Sequence, residues 1–200
     1  MIELTEQDID YISVGASVLG SGGGGDPKVG RLLAKSMIQK YGPVNLISID
    51  ELQDDQYVVP VSGMGAPTVS LEKLPSEIEL TNPLQELERA FGKKADVIIP
   101  IEVGGINSLY PVGAAAKLHL PILDADAIGR AFPEAQMETF HLHGLEPEQV
   151  AVGDEKGNVT LLKPINAYWS EYMSRALTVQ MGCSASVSDY FLAGKDVKGS

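Results

Sequence analysis

The chain has 200 residues, of which 44% are apolar and 21% are charged, and its formal net charge is -12 at pH 7. This composition is typical of a globular protein, which at this length buries roughly 70% of the surface that its unfolded chain exposes. No cluster of Lys or Arg forms a basic stripe. We therefore expect neither nucleic acid nor an anionic membrane as a partner, because both require concentrated positive charge.

The single cysteine, Cys183, excludes an internal disulfide framework and an all-cysteine metal site. The first ten residues, MIELTEQDID, are acidic and contain no apolar core, so we expect no secretory signal in them. No apolar run approaches the ~20 residues that a membrane-spanning helix needs. These features predict a soluble, cytoplasmic protein.

Two helices are predicted in the first part of the chain. Thr5 and Asp8 have the spacing of a helix N-cap, and this helix is expected to end at Gly20. A glycine-rich loop follows. Asp26 and Pro27 then have the pattern of an N-cap and first helical residue, which predicts a second helix that ends near residues 41–42.

Strands and further helices are predicted to alternate along the rest of the chain. Apolar or alternating runs closed by polar or glycine residues predict strands at 44–49, 57–61, 97–101, 121–123, 149–152 and 159–162, the last two flanking a hairpin turn. Helices are predicted at 82–92, 109–118, 166–181 and 186–192. Residues 63–67 are predicted to be a flexible turn that leads into residues 68–74.

This alternation is typical of an α/β fold, a layered sandwich in which helices flank a largely parallel or mixed sheet. We expect residues 1–200 to form a single α/β domain. In such a sheet the strand ends point one way, so polar side chains that follow neighbouring strands can share one crevice.

The glycine-rich loop contains five candidate substrate-binding residues: Ser21, Gly22, Gly23, Gly24 and Asp26. Its backbone N–H groups could cradle an anion, and its glycine content implies a close approach of the backbone to another group. It is not a P-loop, because no Gly-Lys-Ser/Thr follows, and it is not a dinucleotide fingerprint, because a helix precedes it. A ligand-facing loop and a tight connection between two helices are equally compatible with the pattern.

Glu102 lies just past the strand predicted at 97–101, and Asn107 follows five residues later. The carboxylate could act as a general base while the amide orients a substrate carbonyl or amide. In the alternative interpretation, Asn107 or Ser108 caps the next helix and Glu102 balances its dipole. The two interpretations are compatible with each other.

Further acidic residues follow the strand predicted at 121–123. Asp124 and Asp126 are close enough to bind a cation or to raise each other's pKa. Arg130 lies four residues after Asp126, which is also the spacing of a helical ion pair. Glu134 is expected in a turn or at a new helix start. The candidate catalytic residues are therefore Glu102, Asp124, Asp126 and Glu134, and Asn107 and Arg130 join the candidate substrate ligands.

Four other residues have both a functional and a structural interpretation. Glu72 is either a substrate contact or one half of a surface ion pair with its neighbour. His141 and His143, predicted on one side of a strand, could begin a zinc site, but no third nitrogen or sulfur ligand is near in sequence. Cys183 is either a nucleophile at a helix start or a small buried apolar residue.

Four segments together resemble the DUF917 family, part of which is described as S-methyl thiohydantoin desulfurase, a hydantoinase-associated group. They are GSGGGGDP (20–27), GMGAPTVSLEKL (63–74), IEVGGINSLYPV (101–112) and DADAIGRAFPEAQM (124–137). They occur in the family's order over nearly the whole chain, and the DxDxxGRAFPE segment is quite specific. The resemblance implies the N-terminal α/β domain of a longer protein with a second, β-rich domain.

The resemblance also implies a hydrolase that converts an S-methyl thiohydantoin to a hydantoin and releases methanethiol. Water must attack the ring carbon that bears sulfur, which requires a base such as Glu102, Asp124 or Asp126. The ring nitrogen must receive a proton or a hydrogen bond as thiolate leaves, for which an acid of raised pKa such as Glu134 is suited. Asn107, Arg130 and the glycine loop would hold the ring's carbonyl and imide.

The alternative is a non-catalytic small-molecule or anion-binding domain with a regulatory role, which would use the same loop and acidic cluster. A small molecule is the expected partner in both cases. The sequence specifies no cofactor, and a divalent metal ion on the aspartates stays open, as do a second domain in cis and a homo-oligomer. The enzyme hypothesis requires carboxylates that share one pocket with the glycine loop.

Overall fold

The computed structural model of the chain describes residues 1–73 and 75–200. Leu74, the last residue of the predicted segment 68–74, lies outside the described residues. The strands are β1 (Ile2–Leu4), β2 (Val44–Ile47), β3 (Tyr57–Gly65), β4 (Val97–Pro100), β5 (Ile122–Leu123), β6 (Val150–Gly153), β7 (Val159–Leu162), β8 (Ser184–Ser188) and β9 (Leu192–Ala193). The helices are α1 (Glu6–Gly20), α2 (Pro27–Tyr41), α3 (Val69–Glu72), α4 (Glu77–Phe91), α5 (Tyr110–Leu118), α6 (Thr139–Leu142), α7 (Ala167–Gln180) and α8 (Gly194–Lys198).

The strands form one mixed sheet in the order β1-β2-β5-β4-β3-β8-β6-β7, with β9 paired to one end of β3. The central strands β2, β5, β4 and β3 are parallel. Strand β1 is antiparallel to β2 at one edge, and β8, β6 and β7 add an antiparallel extension beyond β3. The predicted α/β class with a parallel or mixed sheet is confirmed.

Both faces of the central strands are buried, which explains their nearly continuous apolar sequences. Because side chains alternate along a strand, Val59 and Val61 of β3 pack toward helices α1, α2, α4 and α5, whereas Val58 packs with Phe140 and Val197 on the opposite face. Helix α7 covers the antiparallel extension through Met173 and its neighbours. The result is a helix layer, a sheet layer and a second, less regular layer.

Two of the sequence predictions for residues 63–92 are wrong. Residues 63–65 are not a flexible turn but the end of β3, because they pair with β8 in the register Gly63↔Ser186. Helix α4 does not begin at Asn82; it begins at Glu77, capped by the Ser76 side chain, and Pro83 lies inside it. Its apolar face is fully buried, so tertiary packing outweighs the local cost of a proline.

Two predictions for the C-terminal half are also wrong. No helix forms at 186–192: residues 186–188 belong to strand β8, which is held between β3 and β6 with Val187 opposite both Ser62 and Val152, and residue 192 begins β9. His141 and His143 are not on a strand: His141 lies in helix α6 and His143 is its C-cap. In both segments the apolar pattern is too short to separate a strand from a helix.

The glycine loop between α1 and α2 packs backbone to backbone against the segment that follows β4. The Ile106 N–H donates a hydrogen bond to the Gly24 carbonyl oxygen at 2.7 Å. Gly24 has φ +75°, and a Cβ atom added to it would lie 2.3 Å from the Gly104 carbonyl oxygen. Only glycine permits this contact, which fixes the position of the segment that carries Glu102.

Two alanine substitutions in this loop separate the cost of the contact from the cost of the backbone conformation. At Gly22 the backbone has φ +93°, but an added Cβ atom would lie in open space. We therefore expect Gly22→Ala to lower the free energy of unfolding by about 1 kcal/mol, from the backbone conformation alone. Gly24→Ala adds a collision with backbone, so we expect a loss of about 3 kcal/mol or more. Urea unfolding measures both, and equal losses would contradict the close contact.

Candidate functional site

A cavity of about 390 Å³ lies at the carboxyl ends of β3 and β4. Its wall combines the end of β3, the glycine loop, the segment after β4, residues 131–135, and parts of α7 and β8. The volume lies within the range of small-molecule sites in proteins. The residues that matter most for its chemistry are Gly23, Gly24, Glu102, Asn107, Glu138 and Asp189.

Asn107 links the end of β3 to Glu102. Strand β4 stops at Pro100, opposite Val61, so among residues 1–73 and 75–200 the next part of β3 has no strand neighbour on that side. The Asn107 side chain takes this place: the Gly63 N–H donates to Asn107 Oδ1 at 2.7 Å, and Asn107 Nδ2 donates to the Gly63 carbonyl oxygen at 3.2 Å.

The same amide group orients the carboxylate. Because Oδ1 accepts the Gly63 N–H and one Nδ2 hydrogen goes to the Gly63 carbonyl oxygen, the second Nδ2 hydrogen is left for Glu102, and Nδ2 donates to Glu102 Oε1 at 2.7 Å. A side chain at Gly63 would press on both neighbours, since an added Cβ atom would lie 3.1 Å from the Tyr110 ring and 3.3 Å from Asn107 Oδ1. The glycine, the amide and the carboxylate are therefore positioned together.

Glu102 is a buried acid whose side chain lines the cavity, and the residue is 5% exposed. Burial raises its pKa, and the Asp126 charge adds to that effect. Hydrogen bonds from Asn107 and from the Phe132 backbone N–H oppose it. A carboxylate with a raised pKa and a fixed orientation has the properties of a general base.

A second acidic group in the cavity consists of Glu138 and Asp189, which the sequence analysis missed. They are 1% and 4% exposed. Burial raises the pKa of both, that of Asp189 to about 6 and that of Glu138 well above its usual value, and the negative charge of Glu171 adds to the effect. The two carboxyl groups act on each other's pKa, and a hydrogen bond between them requires that one of them be protonated.

The wall at residues 133–135 is fastened to helix α7 by side-chain contacts. Glu171 accepts a hydrogen bond from the Ala135 N–H at 3.1 Å and is paired with Arg175. Arg175 also donates to the Pro133 carbonyl oxygen at 3.0 Å. These bonds set the position of Glu134, which lines the cavity, and of the turn that leads to Glu138.

The structure brings five of the predicted site residues together in the wall of this cavity. They are Gly23, Gly24, Glu102, Asn107 and Glu134. The other seven predicted residues are not among those that line it: Ser21, Gly22, Asp26, Glu72, Asp124, Asp126 and Arg130.

The two predicted aspartates lie in the loop that follows β5. Asp124 is exposed to solvent. Asp126 Oδ2 accepts hydrogen bonds from the backbone N–H groups of Val103 and Gly129, both at 2.9 Å. Asp126 therefore connects the loop that follows β5 to the segment that carries Glu102. Arg130 is exposed and stacks on the Phe132 ring at 5.4 Å rather than forming the helical ion pair.

The remaining predicted residues have local structural partners or surface positions. Asp26 caps helix α2, with its Oδ1 atom accepting from the Lys28 N–H at 2.8 Å. Ser21 donates to the Val18 carbonyl oxygen at 3.0 Å. Glu72 is exposed at the end of α3, and its neighbour Lys73 pairs with Glu155 at 2.6 Å instead.

Three cavity residues were not predicted from the sequence, and for two of them the sequence contains a signal. Asp189 directly follows buried strand β8, which is the same rule that selected Glu102, but the wrong helix prediction concealed it. Glu138 directly follows the family-like segment 124–137. Tyr110 lines the cavity from the start of α5, and no sequence pattern distinguishes it from a core residue.

Neither the histidines nor the cysteine joins the cavity wall. His141 Nδ1 lies 3.2 Å from Glu146 Oε1, and His143 Nδ1 lies 3.0 Å from the Thr139 carbonyl oxygen. Cys183 is a free thiol in a turn before β8, with φ +62°. Within residues 1–73 and 75–200, no group of three or more His, Cys, Asp or Glu side chains is arranged to hold a metal ion. No helix in this part of the chain is long and apolar enough to span a membrane.

The sequence model of the S-Me-THD-like family, N-terminal domain, matches residues 7–164. The chain belongs to this family. The resemblance inferred from the four sequence segments is therefore confirmed. No curated protein matches the chain.

The S-Me-THD-like fold of this chain is similar to a crystal structure of a protein from Chromobacterium violaceum. The two share 26% sequence identity with a TM-score of 0.85, over 100% of this chain and 57% of that one. The chain thus spans less than two thirds of the solved protein to which it is similar.

A buried acid behind the cavity predicts how stability depends on pH. Glu79 is 2% exposed and hydrogen-bonded to Tyr110, and burial raises its pKa to about 7. The folded state holds this proton between pH 4.5 and 7 while the unfolded state releases it, so stability falls as pH rises through that window.

Glu79→Gln should remove this dependence, which amounts to about 3 kcal/mol. The measurement is the free energy of urea unfolding for both proteins from pH 4 to 8. The difference at pH 4, where both side chains are neutral, reports the substitution itself. Parallel curves over the whole range would show that Glu79 is ionised in the folded protein.

Proposed function

We propose that this chain provides the hydrolytic site of an enzyme that converts an S-methyl thiohydantoin to a hydantoin and releases methanethiol. The observation that carries the proposal is the buried Glu102 carboxylate, which Asn107 holds at 2.7 Å in the wall of a small-molecule cavity. Membership of the S-Me-THD-like family supports the substrate class.

The cavity is suited to a small heterocycle. A volume of about 390 Å³ accommodates a five-membered ring with a modest substituent. Gly23 and Gly24 contribute backbone rather than side chains to the wall beside Glu102, so a flat ring can approach the carboxylate closely. An added Cβ atom on Gly24 would lie 3.1 Å from Glu102 Oε1.

Glu102 acts as the base in the proposed reaction. Its carboxylate removes a proton from water, and the water oxygen attacks the ring carbon that bears the S-methyl group. The electron pair of the C=N bond moves to the ring nitrogen, which takes a proton from an acid in the cavity wall. As the tetrahedral adduct collapses, the new hydroxyl returns its proton to that acid, the carbonyl forms and the C–S bond breaks. Protonated Glu102 gives its proton to the departing thiolate.

The test is methanethiol release from S-methyl thiohydantoins by the full natural protein. Glu102→Gln removes the base but keeps the size and the hydrogen bond, so we expect kcat/KM to fall by about 100-fold or more. Glu86→Gln is the matched control and should keep full activity, because Glu86 does not line the cavity and is paired with Arg89 on α4. Undiminished activity in Glu102→Gln would refute this base, and tight binding without turnover by the natural protein would favour the regulatory binding domain.

The pH profile tests the link between Asn107 and the base. Because burial raises the pKa of Glu102, the acidic limb of kcat/KM should lie above the usual glutamate value of 4.5. Asn107→Asp replaces a donor to Glu102 with a negative charge, which favours the protonated base and should shift this limb to higher pH. An unchanged limb would mean that another group limits the rate.

A further inference from the structure

A second pair of carboxyl groups faces the same cavity as Glu102. Asp189 directly follows strand β8, and Glu138 directly precedes helix α6, so two distant parts of the chain bring them together. Both residues line the cavity. Neither side chain is needed to cap a helix of the fold, since no cap hydrogen bond to α6 comes from Glu138.

The pair lacks the partners that a purely structural buried acid has. Among the described residues, no N–H or O–H group donates to either oxygen of Glu138 or to Asp189 Oδ1. Asp126 and Glu171 are also partly or fully buried, but each accepts bonds from backbone N–H groups or from arginine. Two ionised carboxylates without donors are costly to bury, so the pair retains one proton.

The charged groups around the pair also favour a pair that retains one proton. Glu171 on α7 is the nearest further acid that acts on both groups, and its negative charge opposes ionisation of the pair. Arg175, which also lines the cavity, is paired with Glu171 and bonded to the Pro133 carbonyl oxygen. Tyr190 brings no positive charge to the pair: burial and the negative charges of Glu138 and Asp189 raise the pKa of its hydroxyl.

We propose that Glu138 and Asp189 are the catalytic acid of this site, with the proton shared between their carboxyl groups delivered to the ring nitrogen. This inference rests on the proposed desulfurase function. It assigns to this pair the role that the sequence analysis gave to Glu134, whose carboxylate accepts a hydrogen bond from Gln136 at the exposed side of the wall.

The proton balance closes over two steps. In the first, Glu102 takes a proton from water, the C–O bond forms, and the pair gives its proton to the nitrogen of the C=N bond. In the second, the pair takes back the proton of the new hydroxyl as the carbonyl forms, the C–S bond breaks, and Glu102 protonates the thiolate. One water is consumed, the hydantoin and methanethiol are released, and both acids are restored.

A comparison of two substrates tests this role. The first is an S-methyl thiohydantoin, whose ring nitrogen must gain a proton. The second is the same ring methylated on both nitrogens, a fixed cation that needs no such proton. Glu138→Gln and Asp189→Asn each keep a hydrogen bond within the pair but remove the transferable proton, so kcat for the first substrate should fall by about 100-fold with KM changed little. For the second substrate we expect much smaller losses.

Equal losses of kcat on both substrates, or unchanged kcat on the first, would overturn the assignment. Glu88→Gln, a buried acid of α4 that lies outside the cavity wall, is the control for general effects of removing a buried carboxylate. The pair's proton is also measurable without catalysis, as the component of the protonated-carboxyl infrared band at neutral pH that Glu138→Gln removes and that Glu79→Gln leaves in place. If this component is present and the natural protein releases no methanethiol, the desulfurase proposal fails while the protonated pair stands; if the component is absent, the shared proton itself is refuted.

Discussion

The candidate site depends on one side-chain amide. Asn107 completes the hydrogen bonds of β3 where its neighbour β4 has ended, and the same group holds Glu102. Because the amide has one accepting and one donating end, the demands of the Gly63 backbone determine which end the carboxylate meets. The gap in the sheet arises because β4 ends at Pro100 while β3 continues to Gly65, paired with β8 on its other side, and the same gap provides the means of orienting an acid in it.

Burial gives the two acidic groups of the cavity different properties. Glu102 is buried but receives donors from Asn107 and from the Phe132 backbone, which limit the rise of its pKa. Glu138 and Asp189 are buried more deeply, and among the described residues no group donates to either oxygen of Glu138 or to Asp189 Oδ1. One site therefore contains a carboxylate suited to accept a proton and a pair suited to retain one, which is how environment separates base from acid in carboxyl chemistry.

The sequence predicts the fold class and the N-terminal helices well, because capping residues and apolar spacing are local signals. It predicts Glu102 and Asn107 from the position of a strand end, a rule that holds for parallel strands. The same rule places Asp124 and Asp126 in the site, but the turn after β5 directs one to solvent and uses the other to bind backbone N–H groups. Asp189 was missed because strand β8 is specified by its neighbours in the sheet, which no local pattern reveals.

The backbone contact between the glycine loop and the segment after β4 has a consequence for how substrate preference could diverge within the family. On that wall, a side chain at Gly24 or Gly105 would collide with backbone at 2.3 or 2.4 Å, so mutation cannot reshape it gradually. The opposite wall, at residues 131–135, is built from side chains and attached to α7 through Glu171 and Arg175. We therefore expect relatives that accept different ring substituents to differ in sequence at residues 131–135 and to keep glycine at positions 24 and 105.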